Sequence, residues 1–362
     1  MTLTLPPAEW ISRKHDGQNF VLLHGMVMAP AFWHAYAPGI TRQGRTAAYP
    51  LPGHHPWSLD TLGDPIARQP ITRQKVTEAL AAAIRRDFGG RPVTLIGHST
   101  GGFISLLLAL DHPELVRSVI LMGAFACGRF EGQERLAARL LRIPHMGPYL
   151  FRQFFRRWIS TSEQFRWGSV ECVYDKSCPW ENNRARFAME KVRENLLRGR
   201  SEDIAACIRF MSGTSLLSDL QYLRMPILNL VGANDAIVPP AHQLRVSKLL
   251  PQAQTVILSA CGHLPMVEHQ TQTDRIVESF VHARQTRFIL PSLHKASGNR
   301  MPSHLDRLLG ALANPMEQIK AEGVQPAQNT MFPIGLGEAP YEYHSCRHSN
   351  SSADRRSAEL GS

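Results

Sequence analysis

The run Val93-Thr94-Leu95-Ile96-Gly97-His98-Ser99-Thr100-Gly101-Gly102-Phe103-Ile104-Ser105-Leu106 decides how the rest of the chain is read. Its first four residues are apolar or β-branched and short enough for a buried strand, and from Gly102 to Leu110 the composition suits a buried helix. Between them, Gly97-His98-Ser99-Thr100-Gly101 fits G-x-S-x-G. That pattern means little alone, but between a strand and a helix it predicts a nucleophile elbow. Such a turn strains the serine backbone, and small residues two positions either side let strand and helix approach. Ser99 is then presented at the strand's C-terminal end, over a helix N-terminus that favours developing negative charge.

A serine hydroxyl is a poor nucleophile, so it needs a base, and the base needs an orienting carboxylate. Pro226-Ile227-Leu228-Asn229-Leu230-Val231-Gly232 reads as another buried strand, followed by the turn Ala233-Asn234-Asp235. In a parallel sheet this puts Asp235 level with Ser99. Gln254-Thr255-Val256-Ile257-Leu258 reads as a further strand, and His263 follows in a loop before a helix that starts near Pro265. The chain order Ser99, Asp235, His263 and its context resemble the α/β-hydrolase fold superfamily.

The resemblance extends upstream. Asn19-Phe20-Val21-Leu22-Leu23 is strand-like and ends in His24-Gly25-Met26, and Pro50-Leu51-Pro52-Gly53-His54-His55 resembles the family's loop after its next strand. Four ordered motifs carry the likeness over about residues 15–285. It implies an α/β fold, a mostly parallel sheet with helices on both faces and an inserted helical cap. It also implies an oxyanion hole built from the backbone N–H groups of Met26 and Thr100. Two fixed donors of this kind stabilise a developing oxyanion by roughly 3 kcal/mol each.

Other residues compete for these roles. His98 lies inside the elbow with its side chain expected to point away from the nucleophile, and His24 is expected to orient its own loop. His54, His55, His112, His242 and His269 fall on predicted loops or helix surfaces, without a carboxylate in register, and are expected to be solvated. Asp219, before Leu220-Gln221-Tyr222-Leu223, is the one rival to Asp235, and suits a linker better. Cys261 is assigned to packing.

With 362 residues, 43% of them hydrophobic, the chain can bury a full α/β core. Strand and helix alternate as 19–25, a helix over 31–40, 45–50, helix 71–88, strand 93–98, helix 100–111 and strand 116–122. Residues 1–18 read as irregular or as a short antiparallel edge. The core is expected over 1–124 and 225–285, the helical cap over 125–224, and a C-terminal extension over 286–362. That extension reads as one amphipathic helix over Ser303–Glu322 and disorder from Gly323. The longest apolar run, Phe103–Leu110, is far too short to span a membrane, and the N-terminus lacks the pattern of a signal peptide. Six cysteines without metal spacing fit reduced thiols in a cytoplasm.

Residues 125–200 hold 15 Lys and Arg against 8 Asp and Glu, most of the chain's net charge of +10. Phe151-Arg152-Gln153-Phe154-Phe155-Arg156-Arg157-Trp158 is the most basic, aromatic part. It reads as an amphipathic cap helix or as a landing site for an anionic partner: a carboxylate-bearing substrate, an acyl-carrier protein or a membrane surface. No nucleic-acid recognition motif accompanies the charge. The expected chemistry is hydrolysis of a carboxylic ester or thioester through an acyl-enzyme on Ser99, with no metal or organic cofactor. Acyl transfer or carrier-protein thioester cleavage, a perhydrolase or C–C bond hydrolase, and a non-catalytic ligand-binding protein are the other readings compatible with these residues.

Overall fold

In the computed structural model, residues 4–59, 71–128, 136–176, 182–250 and 252–294 are described. All of them fall in one compact unit, Met1–Ala327. The expected tail helix and disordered segment lie outside the described residues, as do Cys178 and Cys346.

The first half alternates as read: β1 (Glu9–Arg13), β2 (Asn19–Leu23), α1 (Phe32–Tyr36), β3 (Arg45–Tyr49), α2 (Arg73–Phe88), β4 (Val93–His98), α3 (Thr100–Asp111) and β5 (Val116–Met122). Among the described residues five helices follow without a strand: α4 (Leu136–Leu141), α5 (Gly147–Ile159), α6 (Ser162–Ser169), α7 (Asn183–Arg198) and α8 (Ser201–Gly213). Then come β6 (Ile227–Gly232), α9 (Pro240–Leu249), β7 (Gln254–Leu258), α10 (Pro265–Glu268) and α11 (Gln270–His294). The strands make one seven-stranded sheet in the order β1-β3-β2-β4-β5-β6-β7. Only the β1–β3 pair is antiparallel, so β1 is the short edge expected before residue 18.

Two helices differ from expectation. The helix over 31–40 stops at Tyr36, because Ala37 precedes Pro38 and is extended (φ −65°, ψ 137°); a 3₁₀ turn, Gly39–Gln43, follows. The helix expected over 265–284 breaks at His269 (φ −126°, ψ 50°) and then runs past residue 284 to His294.

The inner strands β2, β4 and β6 are buried along their whole length, as a parallel sheet covered on both faces requires. Leu22, Ile96, Ile120 and Leu228 join one apolar cluster, while their neighbours Val21, Leu23, Leu95, Val119 and Leu121 join the other, the two-residue period of a strand. The first cluster continues into the helical insertion through Phe151, Phe155 and Ile159 of α5. Those three recur every fourth residue and are buried, whereas Arg156 and Arg157 of the same helix are exposed. The insertion leaves and rejoins the sheet at one place. Cys127 bridges Ser215, and Leu216 N–H donates to Ala126 O at 2.8 Å. The helical insertion therefore starts and ends at one paired stem.

Candidate active site

At the end of β4 the backbone of Ser99 is in an unusual conformation, φ 52° and ψ −117°. Its neighbours over-determine it. Ser99 N–H donates to Met122 O at 2.9 Å, and Ser99 O accepts from Gly102 N–H at 2.9 Å and Phe103 N–H at 3.2 Å. A Cβ on Gly97 would stand 2.5 Å from Gly101 O, and one on Gly101 would stand 2.1 Å from Leu23 O. The small residues of G-x-S-x-G are thus required by close approach of the strands and α3. A strain of this kind, of order 1–3 kcal/mol, persists only where packing imposes it.

β4, β6 and β7 run parallel, so the turns after them converge on one edge. Asp235 and His263 both lie there, 4% exposed each. His263 Nδ1 is 2.7 Å from Asp235 Oδ2. A carboxylate only accepts, so Nδ1 carries the proton and Nε2 is left as the basic nitrogen. Asp235 is itself fixed: Oδ1 accepts from Ile237 N–H (2.7 Å) and Val238 N–H (2.9 Å), and Oδ2 also accepts from Gln243 Nε2 at 2.8 Å. Ser99 and His263 line the same cavity. They form no hydrogen bond with each other among the described residues, a contact that commonly tightens only when substrate is present.

The Met26 and Thr100 N–H groups donate no hydrogen bond among the described residues, which leaves both available at the cavity wall. Thr100 opens α3, so its amide is one of the unpaired donors of a helix N-terminus. The Met26 loop is held by histidines. His24 Nε2 accepts from Leu51 N–H at 3.2 Å, and its Nδ1–H donates to Gly25 O at 2.8 Å. His54 Nε2 accepts from Val27 N–H at 3.2 Å, with Nδ1–H directed to Pro52 O at 3.3 Å. Burial pushes the His54 imidazole down to about 4. His24 is also held well below its usual value, by burial first and then by neighbouring His54. Both must be neutral to accept these amide bonds.

Contrary to expectation, His54 and His242 are buried rather than solvated, and His55, His112 and His269 are half-buried. His54 is needed inside because Val27, at φ 54°, turns its N–H inward. His24 orients its own loop as read. His98 is buried, donates through Nε2–H to His263 O at 2.9 Å, and has its ring 4.7 Å from the His263 ring. Burial, then the nearby His263, lowers its affinity for a proton. It braces the histidine loop. Asp219 is far from any such role: Arg73 Nη1 donates to its Oδ2 at 2.6 Å, and that guanidinium holds the carboxyl below its usual range. Gln243 was not singled out from the sequence, and His54 was read there as a solvated loop histidine rather than as the acceptor of the Val27 N–H.

A cavity of about 690 Å³ opens above Ser99. Its floor is the site just described, and its roof is α5 and α6, through Phe151, Phe155, Trp158 and Phe165. Thr100 Oγ1 donates to Met211 Sδ of α8 at 3.4 Å, joining the elbow to the insertion. Among the described residues Arg157 is the one Lys, Arg, Asp or Glu on the lining, and it is exposed, as are Phe154 and Trp167, the latter 80% exposed.

A strained serine at the end of a central parallel strand, with a buried His–Asp pair on the next turns, defines a hydrolase of the α/β class. The alpha/beta hydrolase fold family matches residues 18–270, and the chain belongs to it. It is similar to the pimeloyl-[acyl-carrier protein] methyl ester esterase of Aeromonas hydrophila, 26% identical over 277 residues, 75% of this chain and 98% of that protein. It is also similar to the 2-hydroxy-6-oxononadienedioate/2-hydroxy-6-oxononatrienedioate hydrolase of Burkholderia vietnamiensis, 25% identical over 58% of this chain and 69% of that one. A thermophilic esterase from Thermogutta terrifontis shares the fold, with a TM-score of 0.55 and 20% identity over 74% of this chain and 90% of that one. The named relatives are hydrolases, and the chain is an enzyme of their family.

Proposed function

We propose that this chain is a serine esterase that cleaves a carboxylic ester or thioester through an acyl-enzyme on Ser99. The observation that carries the reading is the 2.7 Å His263–Asp235 contact on the wall of the cavity that Ser99 also lines. His263 Nε2 takes the Ser99 proton as Oγ attacks the carbonyl carbon. Asp235 holds the imidazole tautomer and balances the imidazolium that forms. Met26 and Thr100 N–H groups receive the oxyanion. His263 then protonates the leaving alkoxide or thiolate, which departs as alcohol or thiol. In the second half it takes a proton from water, whose oxygen attacks the acyl-enzyme and releases the acid.

The insertion, residues 125–224, is proposed as the cap that selects the substrate. A cavity of about 690 Å³ has room for roughly twenty heavy atoms at a water-like ~30 Å³ each. Its aromatic and Met lining suits an apolar acyl group, and each buried methylene adds about 0.8 kcal/mol. A panel of p-nitrophenyl esters and acyl thioesters of graded length tests this. kcat/KM is expected to rise with chain length until the cavity is full, and a chain that acylates with none of them, nor with a carrier-bound ester, is not an esterase.

The exposed guanidinium groups of Arg156 and Arg157 have no ion-pair partner among the described residues, which supports an anionic partner at the cap. The relatives that act on carrier-bound esters make an acyl-carrier protein the first partner to try. Its ester should be cleaved with a KM that rises with salt. Buried Cys207 is in no disulfide, which fits a cytoplasmic enzyme. Among the described residues, no helix is long and apolar enough to cross a membrane.

A further inference from the structure

The loop that carries His263 is bonded to the helical insertion as well as to the sheet. Three successive amides of that loop are taken. His263 N–H donates to Cys172 O at 2.9 Å, Gly262 N–H donates to Glu268 Oε1 at 2.9 Å, and Leu264 N–H reaches the same oxygen at 3.4 Å. The other carboxylate oxygen of Glu268 turns to the insertion. Oε2 accepts from Tyr174 N–H at 2.7 Å and from Asp175 N–H at 3.4 Å. One carboxylate at the end of α10 therefore joins its own loop to a segment far away in the chain, Tyr174 being 94 positions from Glu268.

The junction is close-packed. A Cβ on Gly262 would stand 2.7 Å from Tyr174 N and 3.0 Å from Glu268 Oε1, so only glycine admits the insertion this near. Cys172, at the start of the same segment, lines the cavity beside His263. Bonds from amides to an ionised carboxylate are shorter and about twice as strong as neutral ones. They hold the loop, and they also fix its position relative to the insertion. That matters because one imidazole must meet Asp235 and Ser99 together, and a displacement of about 1 Å can cost about a hundredfold in rate.

We propose that Glu268 is a positioning residue: its carboxylate fastens the insertion to the loop of His263, so that the insertion sets where the imidazole stands over Ser99. The insertion is then no free lid, and any shift of the segment Cys172–Asp175 as substrate enters is felt at the base. The proposal rests on His263 being that base.

Two variants open the same junction from opposite sides. Glu268→Gln keeps the size, but its amide nitrogen cannot accept, so one of the two segments loses its acceptor. Gly262→Ala pushes the Tyr174 segment away. Each is expected to lower kcat on p-nitrophenyl butyrate about tenfold or more while KM moves less than about twofold. The double variant should be no slower than the slower single one, because the junction is already open. The low-field proton NMR signal of His263 Nδ1–H should broaden or vanish in both. Wild-type kcat with the signal intact overturns the proposal, as does a fall in Tm alone when rates are taken well below it. Additive losses in the double variant also overturn it. If Glu268→Gln does not fold, Gly262→Ala carries the same readouts. If the intact protein cleaves no ester, the esterase reading fails by itself, and the NMR signal still decides whether Glu268 holds His263.

Discussion

Ser99 is held in a backbone conformation that its neighbours impose and that its hydroxyl alone exploits. Ser99→Ala keeps the turn and removes the proposed nucleophile, and is expected to lower kcat for ester hydrolysis by on the order of 10⁴ to 10⁶. A variant that keeps more than about a tenth of the activity would name another nucleophile. The two aspartates weighed from the sequence now differ in partner. Asp235 accepts from His263 and from the Gln243 amide, whereas Asp219 pairs with Arg73. Asp235→Asn should cost about 10⁴ in kcat, because an amide no longer enforces the Nδ1–H tautomer. Asp219→Asn should leave kcat within a few-fold and lower only stability. The reverse ranking in a steady-state assay would move the acid to the earlier position.

At the scale of elements, the loop after β2 is shaped by imidazoles that must be neutral. His54 titrates near 4 in the folded protein and near 6.5 when unfolded, because burial disfavours its charged form. Between those values the unfolded chain binds a proton that the folded chain does not. Stability therefore falls as pH drops from about 6.5 toward 4 and levels off below, by roughly 3 kcal/mol for this group. His24 and His98, also depressed by burial, add in the same direction. The urea midpoint is expected to fall from pH 7 to pH 5, and His54→Gln should flatten that slope. A midpoint that does not move between pH 7 and pH 5 would show that these histidines are not neutral in the folded state.

Across the whole molecule, the site draws on β4, β6, β7 and the loop after β2, all before residue 270, with the insertion above. Removing residues 323–362 is expected to leave kcat on a small soluble ester within a few-fold, since Ser99, Asp235, His263 and the Met26 and Thr100 amides all precede residue 270. A folded truncation that no longer turns over substrate would bring the tail into the site. Shortening the insertion between its paired ends at Cys127 and Ser215 should instead change the preferred acyl length and admit water to the acyl-enzyme, read as a changed chain-length profile.

Local chemistry determined the elbow, the alternation of strands and helices and the order Ser99, Asp235, His263, because each is written in neighbouring residues. A β-branched run, a glycine at a tight turn and a period of two or four need no distant partner to be recognised. The burial of His54 and His242 was not legible, since a histidine's surroundings depend on which loop packs over it. Nor was the hold of Gln243 on Asp235, which depends on how the turn after β6 folds back, or that of Glu268 on the insertion, because Tyr174 and Glu268 meet only in the folded chain. The cavity belongs to the same category. Its walls come from helices whose inward faces periodicity reveals, but its size depends on how far the insertion stands from the sheet, which packing alone decides.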